Sequence, residues 1–181
     1  MTPGRVIAVV GPSGVGKDSV MAGMAAAAPE FAIVQRVITR ASGLGGEDYV
    51  PMAVADFESA AKDGAFCLYW PAHGLSYGIP IEISERANAG QSFLINLSRK
   101  VLAEAQKVFA DFQVINLTAR PETLAVRLAG RGRENVEDIR ARLQRKVPIS
   151  SKNLIVHDIS NDGDLDKTVM TALKAVHPVR V

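Results

Sequence analysis

The sequence has little of what marks secreted, membrane or nucleic-acid-binding proteins. Its 181 residues include a single cysteine, Cys67, so no internal disulfide can form and a reducing compartment is indicated. The formal net charge is only +2, which gives no general attraction to nucleic acid. The first residues lack the pattern of a secretory signal, and no segment approaches the roughly 20 apolar residues of a membrane span. We expect a cytoplasmic protein with neither nucleic-acid nor membrane partners.

Apolar runs alternate with helix-length segments along the whole chain, which predicts one α/β domain over residues 1–181. Several of the runs are continuous, as is typical of strands buried on both faces of a parallel sheet. The pattern therefore predicts a central parallel sheet flanked by helices. The strand candidates are Val6–Val10, Phe31–Ile38, Phe66–Trp70, Phe93–Asn96, Phe112–Leu117 and Leu154–Ile159.

Apolar stripes at helical spacing predict the helices between these strands. Pro121 opens one helix, at a position where proline is tolerated. Two stretches, residues 39–51 and 130–135, are instead glycine-rich or charged, so we expect them to leave the sheet as loops that carry function. The clearest stripes are Val101, Leu102, Ala105, Val108 and Phe109, and Leu165, Val169, Leu173 and Val176.

The strongest motif lies between the first predicted strand and a helix. It reads Gly11-Pro12-Ser13-Gly14-Val15-Gly16-Lys17-Asp18-Ser19. Glycine permits backbone angles that aim successive amides at phosphate oxygens, and the helix N-terminus adds partial positive charge. Lys17 would bridge the β- and γ-phosphates of a nucleotide. Residues 11–19 are thus predicted to form a P-loop that binds ATP, with a plain glycine-rich turn as the alternative.

The residue after the lysine departs from the usual P-loop pattern. A serine or threonine normally stands there and its hydroxyl binds magnesium, whereas this chain has Asp18 there and Ser19 one place later. A carboxylate is a good ligand for Mg²⁺, but it adds negative charge beside a triphosphate. Either Asp18 binds the metal directly, or Ser19 does and Asp18 holds water around it. The sequence leaves both open.

Several further motifs resemble the guanylate kinase family. They are Arg36-Val37-Ile38-Thr39-Arg40, Gly46–Tyr49 and Trp70–Gly78. The resemblance implies an acceptor-binding region at about 36–80, in which Arg40, Tyr49 and Tyr77 hold the acceptor's phosphate. A guanidinium fork and directional phenol donors suit that task. The alternative is that the tyrosines pack the loops and Arg40 is a solvated charge.

The motif Arg127–Asn135 with Ile139–Leu143 resembles the arginine lid of the same family. The resemblance implies a short lid at about 130–142, in which Arg131, Arg133 and Arg142 stabilise the transferred phosphoryl group. A salt-bridged surface helix is the alternative. Asn161 opens an Asn-Asp-Gly segment that resembles the adenine-contacting loop of these kinases, although this is also an ordinary turn.

The positions that read guanine in guanylate kinases have changed. Leu68 and Ile79 replace an acidic and a hydroxyl residue, and Asn96 and Ser98 replace an acidic pair. Buried donors of a guanine would stay unpaired against Leu68 and Ile79, at a cost of several powers of ten in selectivity. The phosphate anchors remain, so we expect a phosphorylated acceptor other than GMP.

This combination resembles the ribose 1,5-bisphosphate phosphokinases, guanylate kinase relatives associated with phosphonate utilisation. The resemblance implies that ATP and ribose 1,5-bisphosphate give ADP and 5-phospho-α-D-ribose 1-diphosphate (PRPP). His73, Ser98 and Arg99 would join the sugar-phosphate site, although His73 can equally be a turn residue. The alternatives are a nucleoside monophosphate kinase and, in another class, a non-catalytic guanylate-kinase-like binding module. A regulatory GTPase would need an Asn-Lys-x-Asp stretch, which the sequence lacks.

Overall fold

The computed structural model describes residues 2–44, 46–130, 148–149 and 152–177. Their strands are β1 (Arg5–Val10), β2 (Phe31–Ile33), β3 (Arg36–Ile38), β4 (Tyr49–Pro51), β5 (Phe66–Ala72), β6 (Leu75–Pro80), β7 (Ser92–Asn96), β8 (Asp111–Thr118) and β9 (Ile155–Ser160). Their α-helices are α1 (Lys17–Ala27), α2 (Val54–Lys62), α3 (Ile81–Asn88), α4 (Leu102–Val108), α5 (Pro121–Ala129) and α6 (Leu165–Val176). A short 3-10 helix, Arg99–Val101, leads into α4.

The main sheet confirms the predicted parallel sheet flanked by helices. Its strand order is β2-β7-β1-β8-β9, and each neighbouring pair is parallel. Strand β1 lies at the centre, with Val6–Val10 fully buried. Ile7 and Val9 pack with buried residues of α1 and α6, whereas Val6 and Ala8 pack with α4 and the second sheet. Because parallel strands end at one edge, the loops that follow β1, β7 and β9 emerge together.

The second sheet corrects two of the sequence predictions. Its order is β4-β3-β6-β5, and β6 runs antiparallel to both neighbours, so Phe66–Trp70 is not a strand of the parallel sheet. The run Phe31–Ile38 is not one strand either. It pairs with β7 up to Val34, whose amide donates to Leu94 O (3.0 Å), and then crosses to the second sheet as β3. A continuous apolar run is compatible with burial in either sheet, which is why sequence did not separate them.

Other boundaries also differ from prediction. Strand β6 was not predicted, and the loop at 39–51 ends in strand β4, parallel to β3. The stripe on α6 is correct at Val169 and Val176, but Leu165 is 40% exposed because it is the first residue of the helix. Cys67 is half-buried, and this burial raises the pKa of its thiol to about 11. Within the described ranges, no helix has the length and apolar character needed to cross a membrane.

Candidate active site

The predicted P-loop joins the central strand to α1, with backbone angles that require glycine. Gly14 and Gly16 have φ of 83° and 96°, in the left-handed region that other residues rarely adopt. A Cβ on Gly16 would also lie 2.7 Å from Asn161 Nδ2. The Lys17 ammonium folds back over the loop and donates to the carbonyls of Gly11 (3.0 Å) and Pro12 (3.4 Å). Residues 11–17 therefore form a closed turn around a lysine charge.

The pKa of Lys17 is set by its burial and by the charged side chains around it. The pKa of Lys17 is lowered to about 8, mainly by burial; the charges of Arg36 and Arg99 also lower it, whereas those of Asp18 and Glu47 raise it. The ammonium is thus mostly protonated at neutral pH. The β3 region and the end of β7 lie close to the P-loop, because Asn96 pairs with Val9 of β1 and its carbonyl accepts from Arg36 Nη1 (3.3 Å).

Residues from α5 and the β9–α6 loop brace the P-loop from behind. The carbonyl of Val15 accepts hydrogen bonds from Asn161 Nδ2 (2.8 Å) and Arg127 Nη1 (3.3 Å). Arg127 Nη2 also donates to Asn161 O (2.7 Å), and Thr168 Oγ1 donates to Asn161 Oδ1 (2.8 Å). Asn161 was predicted from its motif as an adenine contact; here both ends of its amide hold protein groups. Arg127 lies in the predicted lid motif but was not selected as a site residue, and Thr168 was missed because no motif marks it.

The two candidate metal ligands lie in the first turn of α1. Asp18 and Ser19 are both exposed beside the P-loop. Among the described residues, no group of three or more His, Cys, Asp or Glu side chains could hold a metal. Mg²⁺ in kinase sites takes one or two protein ligands and fills its shell with water and substrate phosphates. One carboxylate and one hydroxyl at this place fit such a metal.

Arg40 and Tyr49, two of the predicted phosphate ligands, come together in the structure. The Arg40 guanidinium lies over the Tyr49 ring, 4.8 Å from its centroid. Arg40 also donates to Leu44 O (2.9 Å) and Glu47 Oε1 (3.2 Å). The Tyr49 hydroxyl donates to Ala41 O and Leu44 O, which ties the loop after β3 into a turn.

Tyr77, the third predicted ligand, lies with a different arginine. It is buried and stacks on Trp70, with ring centroids 5.5 Å apart. The Arg36 guanidinium lies 4.9 Å from the Tyr77 ring centroid. Glu47 links the Arg36–Tyr77 pair to the Arg40–Tyr49 pair, because its carboxylate accepts hydrogen bonds from both arginines. Arg36 and Glu47 were not predicted as site residues, although an arginine inside the apolar run Phe31–Ile38 was a usable signal.

The remaining predicted substrate residues lie at two places. Ser98 and Arg99 follow β7, at the edge of the main sheet where the P-loop also emerges. Ser98 Oγ accepts from Lys100 N (3.4 Å), and Arg99 Nη2 donates to Asn116 Oδ1 (3.0 Å) on β8. His73 is exposed at the turn between β5 and β6, with a positive φ of 53°. The lid arginines Arg131, Arg133 and Arg142 lie outside the described residues.

No protein-family model matches the chain. A ribose 1,5-bisphosphate phosphokinase PhnN from Ruegeria sp. (strain TM1040) is 49% identical over 178 residues, which cover 98% of this chain and 94% of the relative. Another from Brucella melitensis biotype 2 (strain ATCC 23457) is 39% identical over 181 residues, with the same coverage. The chain belongs to the ribose 1,5-bisphosphate phosphokinase family. This confirms the resemblance on which the sequence analysis relied.

Solved structures show that this phosphokinase has a P-loop kinase fold. A guanylate kinase from Anaplasma phagocytophilum superposes with a TM-score of 0.70 at 16% identity, covering 97% of this chain and 85% of that chain. A sugar kinase from Janibacter sp. HTCC2649 gives a TM-score of 0.58 at 17% identity, covering 96% of this chain and 95% of that chain. The phosphokinase fold is therefore shared with enzymes whose sequences have diverged widely.

The positions that would read guanine are part of the apolar core in this phosphokinase. Leu68 and Ile79 are 5% and 0% exposed, and they pair directly across β5 and β6. Neither can accept a hydrogen bond through its side chain. The structure thus gives no support to a guanine site at these two positions.

Proposed function

We propose that the chain is a kinase that transfers the γ-phosphoryl group of ATP to the 1-phosphate of ribose 1,5-bisphosphate. An oxygen of the 1-phosphate attacks the γ-phosphorus, the bond from that phosphorus to the β–γ bridging oxygen breaks, and ADP leaves with PRPP as the product. The attacking oxygen is already anionic near neutral pH, so no strong general base is required. Because ATP is available in the cytoplasm, we expect the enzyme to act there, where its product would enter PRPP biosynthesis and phosphonate metabolism.

The observation that carries the proposal is the set of cations facing the P-loop. Arg99 follows β7 at the edge of the sheet where the P-loop emerges, and Arg36 reaches that edge through its hydrogen bond to Asn96 O (3.3 Å). Arg40 joins Arg36 through Glu47. Beside them, Leu68 and Ile79 offer no polar group. Phosphoryl transfer depends mainly on positioning and on positive charge around the phosphates. A cationic site with no base-reading polar group at these two core positions suits an acceptor that carries phosphates and no base.

Each residue of the site has a proposed role. The backbone N–H groups of residues 11–16, apart from Pro12, which has none, bind the phosphates of ATP together with Lys17. Arg40 and Tyr49, with Tyr77, hold the 1-phosphate, whose oxygen attacks the γ-phosphorus of ATP. Ser98, Arg99 and His73 contact the ribose or its far phosphate. Asn161 acts on ATP mainly by holding the P-loop, beside any contact of its segment with adenine.

Magnesium and the lid complete the proposed site. Asp18 or Ser19 would hold Mg²⁺, which supplies positive charge to the β- and γ-phosphates when bound. Arg131, Arg133 and Arg142 would add charge from the lid. Effects of such residues do not add, because they act on one transition state together.

The test is ADP release from ATP and Mg²⁺ with ribose 1,5-bisphosphate or GMP as the acceptor, with PRPP identified by phosphorus NMR. Turnover with the sugar bisphosphate alone is the expected result. Turnover with GMP instead would make the protein a nucleoside monophosphate kinase. ATP binding without turnover of either acceptor would favour a non-catalytic binding module.

A further inference from the structure

Arg36 is a buried charge in an otherwise apolar row of the second sheet. It is 8% exposed. The β3–β6 register pairs Val37 with Gly78, and continuing it by one residue places Arg36 opposite Ile79, which pairs in turn with Leu68. Paired residues of antiparallel strands project from the same face. Arg36, Ile79 and Leu68 therefore form one row across three strands.

The guanidinium of Arg36 is held at a place where it can face a ligand of the P-loop. Its Nη1 donates to Asn96 O (3.3 Å) at the end of β7, and its Nη2 to the Glu47 carboxylate. Its charge also lowers the pKa of Lys17. Arg36 is thus the end of the row that lies beside Asn96, which pairs with Val9 where β1 leads into the phosphate-binding loop.

The hydrogen bonding of Arg36 is incomplete in the part of the chain that the structure describes. Its Nε is buried without an acceptor, and so is that of Arg40. A buried charged donor without a partner costs stability, which makes such a group a candidate for ligand binding. Glu47 accepts from both guanidinium groups, and a phosphate, with more negative charge and more oxygens, can compete for the same donors.

An acceptor with two phosphates needs two anion sites, and the structure offers two arginines joined by one carboxylate. We propose that Arg36 binds the 5-phosphate of ribose 1,5-bisphosphate while Arg40 and Tyr49 hold the 1-phosphate. This assignment rests on the proposed function. Arg36 is then the residue that selects a sugar bisphosphate over a monophosphate, and Glu47 is a positioning residue that orients both arginines.

The experiment compares kcat/KM for ribose 1,5-bisphosphate with kcat/KM for ribose 1-phosphate, which lacks the 5-phosphate. In the Arg36→Met variant, we expect the ratio of the two values to fall roughly 10- to 100-fold, the loss of charge-assisted hydrogen bonds to one phosphate. The KM for ATP should stay near the wild-type value. An equal loss on both acceptors, with the ratio unchanged, would show that Arg36 only supports the structure.

Two further variants keep the result interpretable. Arg36→Lys retains the charge without the fork, so its ratio should fall less than that of Arg36→Met, and it decides the question if the methionine variant does not fold. Arg5→Met is the matched control, because Arg5 forms an ion pair with Asp111 (3.3 Å) at the opposite end of β1. The kcat/KM ratio of Arg5→Met should equal that of the wild type. A fall in this control would contradict the assignment, because the ratio would then respond to a charge far from the acceptor site.

The wild-type assay separates this inference from the proposed function. If the wild type does not turn over ribose 1,5-bisphosphate, the proposed function fails and the Arg36 assignment with it. If the wild type turns it over and the ratio is unchanged in both Arg36 variants, the Arg36 assignment alone fails.

Discussion

The brace behind the P-loop gives a prediction whose size can be worked out from the hydrogen bonds of Asn161. The side chain is 5% exposed and joins Val15 O to Thr168 Oγ1, both at 2.8 Å. Asn161→Ala removes both bonds. Val15 O keeps Arg127 (3.3 Å), and Thr168 Oγ1 keeps the weaker bond to Asp164 O (3.3 Å), so neither partner is left unpaired.

The expected loss follows from the number of bonds removed. Each net hydrogen bond contributes about 1 kcal/mol, and the lost packing of a buried amide adds to this, so Asn161→Ala should lower the free energy of unfolding by about 2–3 kcal/mol. Thr168→Val removes one of the same bonds and should cost about 1 kcal/mol. The double variant should be hardly less stable than Asn161→Ala alone, because the bond that Thr168→Val removes is already lost. The coupling free energy between the two positions is then about 1 kcal/mol.

The measurement is urea unfolding of the wild type, the two single variants and the double variant, with the KM for ATP as a second readout. Thr171→Val is the matched control, because the Thr171 hydroxyl bonds Lys167 O (2.8 Å) on the exposed side of the same helix. That change should stay within about 0.5 kcal/mol. Additive losses at Asn161 and Thr168, or an unchanged KM for ATP in Asn161→Ala, would refute the brace.

Three further predictions concern the donor and acceptor sites. Lys17→Ala should keep the fold and lose most phosphoryl transfer, measured as ADP release; wild-type turnover in this variant would contradict the P-loop assignment. For the wild type, kcat/KM for ATP should fall as pH rises through about 8, because the free enzyme then loses the Lys17 charge, and a profile flat to pH 10 would be the contrary result. Leu68→Glu should gain no efficient GMP phosphorylation, since Ile79, Asn96 and Ser98 are unchanged, and should unfold at lower urea because it buries a carboxylate; strong GMP turnover would show that base recognition is less altered than proposed.

The parts of the site that could be predicted from sequence are those formed by neighbouring residues. The P-loop is one continuous segment, so its glycines and Lys17 carry the signal together. Arg40 and Tyr49 also lie within one short loop, and the structure brings them into contact. Local spacing is sufficient in both cases because the geometry is set within a few residues.

The parts that could not be predicted depend on contacts between distant segments. The brace joins Val15 to Asn161, which are 146 residues apart in sequence. The division of Phe31–Ile38 between two sheets depends on which strand each half pairs with. Strand β6 lacks a continuous apolar run, so its sequence does not predict a strand. Pattern arguments count residue types within a segment, so they carry no information on the partner of that segment.

The link between donor and acceptor sites is also a property of the folded chain. Arg36 and Arg99 lower the pKa of Lys17, and Glu47 raises it, although none of the three belongs to the P-loop. An acceptor whose phosphates bind these arginines adds negative charge near Lys17 and so raises its pKa again. Bound ATP acts in the same direction. The loss of the Lys17 charge should therefore occur at higher pH in the complex than in the free enzyme, which moves the alkaline limb of kcat above that of kcat/KM. Under the proposed function, the arginines of the acceptor site would therefore have two effects: they would bind the sugar phosphates, and once their charge is balanced by those phosphates they would oppose the protonation of Lys17 less.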